Sequence, residues 1–155
     1  MLVAPVKILE WTPDYSVHVS EIDREHQTLF SVINRLHEAM LGGEGKSILA
    51  TLLAELTQYT LHHLTNEERA MAAIEYPRLR AHALEHDELR RGIRAFGERL
   101  ARGEATITIE LTLFLSEWIK RHVLTTDLEL GDAIRQNRIH KQGVDVIQNV
   151  FRPDP

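Results

Sequence analysis

The chain has 155 residues, 43% of them apolar, with 18 Lys and Arg against 23 Asp and Glu for a net charge of −5. That length suits one domain, and basic residues this few and this scattered argue against a nucleic-acid or anionic-membrane partner. Cysteine is absent, which excludes disulfides and thiolate-held metal or iron–sulfur sites and is compatible with a reducing, cytoplasmic setting.

Residues 1–19 hold Pro5, Trp11 and Pro13 without a helical period and read as an extended arm. The opening MLVAPVKILEW has neither a charged leader region nor an uninterrupted apolar run, so neither a signal peptide nor membrane insertion is expected. Ser20, followed by Glu21 and Asp23, suits the N-cap of a first helix over about 21–41, with Ile22, His26, Leu29, Ile33, Leu36 and Met40 on one stripe. The glycines of "GGEG" at 42–45 end it. A second helix over about 46–74 carries Leu49, Leu52, Leu56, Tyr59 or Thr60, His63, Glu67 and Met71, and "EYP" at 75–77 stops it. A third, about 78–102, shows Leu79, His82, His86, Leu89, Ile93, Phe96 and Leu100. The fourth, about 107–130, shows Leu111, Leu115, Trp118 and His122. Its start, "TITIELTLFL" at 106–115, has strand propensity, but a lone strand would lack a partner, so helix is expected. Ile134, Ile139, Val144, Ile147 and Phe151 suit a short fifth helix over 132–151, packed outside.

The pattern predicts an all-α fold: an antiparallel up-down four-helix bundle with an extended N-terminal arm and a short C-terminal helix. One domain, 1–155, divides into the arm (1–19), the bundle (20–130) and a C-terminal extension (131–155).

Nine histidines are the one compositional anomaly. On the second helix, His63 and Glu67 continue the buried stripe, whereas His62 lies about 100° away at the rim. The same phase places His26, His82, His86 and His122 on the apolar faces of the other helices. One such histidine is an ordinary hydrogen-bonded core imidazole, but five, with an inward Glu67, are another matter. Each buried unpaired polar group costs roughly 1–3 kcal/mol, and a shared metal removes that penalty. His82 and His86, at i and i+4, suit two bonds to one ion. Asp127 stands five residues after His122, about 140° away on a regular helix. A π-bulge would align the two; a solvated charge in the last turn is the simpler reading of the residues alone. His18, His37, His62 and His140 read as surface or boundary positions.

With these residues in hand, the sequence resembles the hemerythrins, most closely their single-domain bacterial type. The matching pieces are "WTPDYSV" at 11–17, "IDREHQTLF" at 22–30, "YTLHHLTNEERAM" at 59–71, "YPRLRAHALEHDEL" at 76–89 and "WIKRHVLTTDLEL" at 118–130. The resemblance implies two non-haem iron ions, one held by His82, His86 and His122 and the other by His26 and His63. Glu67, Asp127 and an oxo or hydroxo group would bridge them. These ligands fill all but one of roughly twelve positions on two octahedral ions, and the vacancy, beside His26 and His63, would take dioxygen. Trp118, Ile119 and Leu64 are the implied walls of that pocket; Leu64 stands where the family commonly has Phe, and Ile119 where Leu is common. The implied function is reversible dioxygen binding for transport, storage or delivery in the cell, without enzymatic activity, by a monomer whose partners are O2 and an O2-consuming enzyme or a reductase. The alternatives are a di-iron redox enzyme, acting on peroxide, nitric oxide or ferrous iron, and an O2 or redox sensor.

Overall fold

The computed structural model describes residues 7–104, 107–140 and 150–151, the side chains of 107 and 108 aside, and its regular structure there is helical throughout. A 3-10 turn (Pro13–Tyr15) leads to α1 (Ser20–Leu41), α2 (Lys46–Ala73), α3 (Leu79–Ala101) and α4 (Ile107–His122), followed without a break by a π-helical turn (Val123–Asp127) and α5 (Leu128–His140). α1 packs on α2 and α4, and α3 on the same two, so the order around the antiparallel bundle follows the chain. Ile22, Leu29, Ile33 and Leu36 of α1, Leu56 and Met71 of α2, Leu89 and Ile93 of α3, and Leu111 and Leu115 of α4 are all buried. Their spacings of three, four or sums of these give each helix one apolar stripe, which is what assembles the bundle.

Three helices end by one device, a left-handed residue followed by an N–H that reaches back five positions. Gly43 (φ 68°) and Gly103 (φ 82°) close α1 and α3, where Glu44 N–H donates to Ala39 at 3.0 Å and Glu104 N–H to Arg99 at 3.4 Å. At the end of α2 the residue is Glu75 (φ 53°), and Tyr76 N–H donates to Met71 at 2.9 Å. Residues 107–115 are helical despite their Thr and Ile content. The buried hydroxyls of Thr112 and Ser116 donate, at 3.0 Å each, to the carbonyls of Ile109 and Leu113, so they bring no unmet polar group into the core.

Two boundaries differ from the sequence reading. Val19, not Ser20, precedes α1, and the Ser20 hydroxyl donates to Glu21 at 3.2 Å instead of capping the helix. Asp23 does the terminal work, accepting from Val17 N–H at 2.8 Å and the Ser16 hydroxyl at 2.6 Å. The fourth helical run also does not stop near 130: α5 continues it through the π turn to His140. Over 132–140 the C-terminal helix is therefore an extension of α4's line, not a separate element. The rest of the expected helix, 141–149, lies outside the described residues.

The arm is seated by specific bonds. The Asn34 side chain accepts from Ile8 and Leu9 N–H, each at 3.0 Å, and donates to Leu9 carbonyl at 2.7 Å. Trp11 and Tyr15 meet the Phe30 ring edge-on, with centroids 5.4 and 5.1 Å away. Val17 and Val19 are fully buried. Arg135 of α5 donates to the Val17 carbonyl at 3.1 Å. Gly131 makes that approach possible, because a Cβ there would lie 2.3 Å from the Val17 carbonyl oxygen. Gly131→Ala should therefore lower stability by about 1–3 kcal/mol through overpacking against backbone. Gly97→Ala, where a Cβ meets nothing within 4 Å, should raise it by up to about 1 kcal/mol through helix propensity. Urea unfolding followed by circular dichroism measures both, and a Gly131→Ala protein as stable as the parent would contradict the seating of the arm on α5.

Candidate metal centre

In the half of the bundle where α1 and α3 begin and α2 ends, seven polar side chains meet at one level: His26 from α1, His63 and Glu67 from α2, His82 and His86 from α3, His122 closing α4, and Asp127 closing the π turn. Each is 3% exposed or less. Pairs four apart share a helix face, which brings His63 beside Glu67 and His82 beside His86. All seven sequence candidates thus come together.

The two carboxylates divide the cluster. Glu67 turns Oε1 toward His63 Nε2 (3.3 Å) and His26 Nε2 (3.6 Å), and Oε2 toward His86 Nε2 (3.1 Å) and His82 Nε2 (3.5 Å). Asp127 turns Oδ2 toward His26 Nε2 (3.1 Å), and Oδ1 toward His122 Nε2 (2.9 Å) and His82 Nε2 (3.1 Å). Two overlapping sets of donors result, each gathered within 4.8 Å: His82, His86 and His122 with both carboxylates, and His26 and His63 with the same two. The bystander reading of Asp127 fails because residues Val123–Asp127 form a π turn. Its i to i+5 repeat returns Asp127 to the phase of His122.

Three further carboxylates, which the sequence reading missed, hold imidazoles from behind. Glu25 of α1 accepts from His63 Nδ1 on α2 at 2.6 Å, Glu68 of α2 from His86 Nδ1 on α3 at 3.0 Å, and Glu85 of α3 from His122 Nδ1 on α4 at 2.7 Å. A carboxylate only accepts, so each Nδ1 carries the proton and each Nε2 is left facing inward. Each glutamate is anchored in turn: Glu25 by the Asn66 amide at 2.7 Å, Glu68 by Arg90 at 2.9 Å, Glu85 by the Thr126 hydroxyl at 2.9 Å. The available signal was adjacency, for Glu25, Glu68 and Glu85 each stand next to a cluster residue, one helical step of about 100° off the inward face.

Burial disfavours charge on His26, His63, His82, His86, Glu67 and Asp127, yet their mutual attraction prevails. The His63 imidazole, desolvated but facing Glu67 and hydrogen-bonded to Glu25, is raised to about 10, and His82, desolvated but held by Asp127 and Glu67, also to about 10. His26 and His86 are raised for the same reasons. Against their own burial, His63, His26 and His82 hold Glu67 well below the usual carboxylate range; His122 and His26 do so for Asp127, against both burial and the Glu67 charge. Hydrogen bonding remains incomplete: both oxygens of Glu67 and of Asp127, His26 Nδ1 and Nε2, His82 Nδ1 and His86 Nε2 are buried without a partner. Buried polar groups are normally satisfied, so imidazole nitrogens and carboxylate oxygens left in this state fit divalent first-row metal ions, which would displace the protons on the inward Nε2 atoms.

A cavity of about 10 Å³ adjoins the cluster, and Leu64, Trp118 and Ile119 line it together with His26, His63, His122 and Asp127. The Trp118 ring stacks on His122, centroids 4.2 Å apart and planes within 21°. Outside the cluster, His18, His62 and His140 are exposed and His37 is half-buried, as surface and boundary positions should be.

A family model described as the hemerythrin HHE cation binding domain matches residues 17–134. A bacteriohemerythrin of Pseudomonas aeruginosa is 33% identical over 129 residues, 83% of either chain. A myohemerythrin of Riftia pachyptila is 28% identical over 119 residues, which span 77% of this chain and 88% of that one. A wild-type hemerythrin crystal structure aligns with a TM-score of 0.77 at 28% identity, covering 81% of this chain and 97% of that one. Family model, relatives and solved structure agree with a bundle whose buried imidazoles and carboxylates can bind metal, and the chain belongs to the hemerythrin family, a family of di-iron, oxygen-binding proteins.

Proposed function

We propose that this chain binds two iron ions and takes up dioxygen reversibly beside His26 and His63, to carry, store or deliver the gas inside the cell. The observation that supports the reading best is the sharing of Glu67 and Asp127, each with one oxygen toward either set of imidazoles. His82, His86 and His122 would hold one ion and His26 and His63 the other, with both carboxylates bridging. Bound iron supplies the electrons that dioxygen takes on binding and returns on release. The chain holds, orients and shields. Glu25, Glu68 and Glu85 fix ring direction, and five neutral imidazoles against two carboxylates favour return to the ferrous state. Leu64, Trp118 and Ile119 leave room for about one water, which keeps bulk solvent from the half with fewer donors.

The decisive experiment is anaerobic reduction of the iron-loaded protein followed by cycles of air and argon. A visible absorption band that appears with oxygen and vanishes without it is expected; irreversible oxidation with turnover of peroxide would show an enzyme instead. Glu67→Ala should cut bound iron from two ions per chain to one or none, read by elemental analysis beside circular dichroism, and full loading would remove Glu67 as a bridge.

The metal-free protein should respond to pH in a defined sense. His63 rises from 6.5 to about 10 on folding, so its contribution is complete below about 6.5 and disappears as the pH climbs to 10. Glu67 falls below its ordinary 4.5 and Asp127 below 3.8, so theirs is complete above those values and disappears in acid. The thermal midpoint after chelation should therefore peak between about pH 4.5 and 6.5 and decline toward pH 10. Iron replaces the protons on Nε2, so loading near neutral pH should release acid, measurable in a pH-stat. A midpoint that rises steadily from pH 6.5 to 10 would contradict this charge assignment.

A further inference from the structure

The two halves of the cluster are built unequally. One has three imidazoles and the other two, and they share both carboxylates. Two of the three imidazoles in the larger half are held from behind, His86 by Glu68 and His122 by Glu85; in the smaller half only His63 is held, by Glu25, while His26 Nδ1 has no partner.

Glu85 does more than fix one ring. Its Oε2 accepts from His122 Nδ1 at 2.7 Å and from the Thr126 hydroxyl at 2.9 Å, so one side chain spans the π turn from its first flank to the residue before Asp127. It thereby sets the mutual placement of two donors to the larger half. Glu25, pinned by Asn66 at 2.7 Å, orients one donor to the smaller half, and its hydrogen bonds go to α2, not to the π turn.

We propose that the centre fills in two steps, the His82, His86 and His122 half before the His26 and His63 half, with Glu85 the positioning residue for the first ion and Glu25 for the second. The order follows from the donor count, from the preoriented rings, and from the charge of the first ion, which repels the second across the shared carboxylates. The inference rests on the metal-binding reading above.

Anaerobic calorimetric and optical titration of the chelator-stripped 155-residue chain with Co(II), a spectroscopic stand-in for Fe(II), tests it. Two phases of one equivalent each are expected. Glu25→Gln should leave the first phase unchanged and weaken the second by about 10- to 100-fold; Glu85→Gln should weaken the first by a similar factor. Thr126→Val, which removes one anchor of Glu85, should weaken the first phase less, and all three variants should keep the parent's helical circular dichroism. A single two-equivalent phase in the parent, or a first phase weakened by Glu25→Gln, overturns the order while leaving the site intact. No uptake of Co(II) or Fe(II) by the parent overturns the metal-binding reading itself.

Discussion

Two carboxylates sealed from water, with imidazoles as their close counter-charge among the described residues, are the constraint that shapes this bundle. Removing a carboxylate from water costs several kcal/mol even after relaxation, and Glu67 and Asp127 are both wholly buried. Neither could be tolerated unless donors from every side reached the same level. That fixes the register of four helices against one another far more tightly than apolar stripes, which tolerate sliding by a turn. The cluster is thus a gauge of correct assembly as well as a candidate site.

The π turn is the local device that satisfies this constraint. A regular α4 could present His122 or Asp127 to the interior, not both, and the widened turn presents the two within 2.9 Å of each other. Widening a helix loosens it, and here the surroundings brace it. Glu85 grips the turn from α3 through Thr126, while Gly131 and Arg135, just beyond it, receive the arm at Val17. The N-terminal arm therefore has a structural reason to exist: it packs against α5 directly after the π turn.

How much of this the sequence disclosed depends on what periodicity measures. Phase along a stripe says which residues face inward, and that sufficed for His26, His63, Glu67, His82, His86 and His122, whose helices are regular. It misled for Asp127, where the repeat itself changes; family motifs, not spacing, pointed to that residue. Glu25, Glu68 and Glu85 stayed hidden because each sits one helical step off the interior, where phase predicts only a rim position and says nothing about the facing helix. Ser20 suited a cap by residue type, yet Asp23 made the terminal bonds because the arm doubles back over it. The end of α4 was misplaced for a related reason: Gly131 follows the expected stop at 130, but it serves the close approach of Val17 rather than a helix end, and the π turn before it continues backbone hydrogen bonding.

The outer glutamates impose a direction on the molecule. α1 supports an imidazole on α2, α2 one on α3, and α3 one on α4, but His26 on α1 has nothing behind it. The circuit is open at the seam between the first and last helices. Loss of any one of these glutamates should therefore be felt first on the next helix along the chain, as a ring set free there, and not on the helix that carried it.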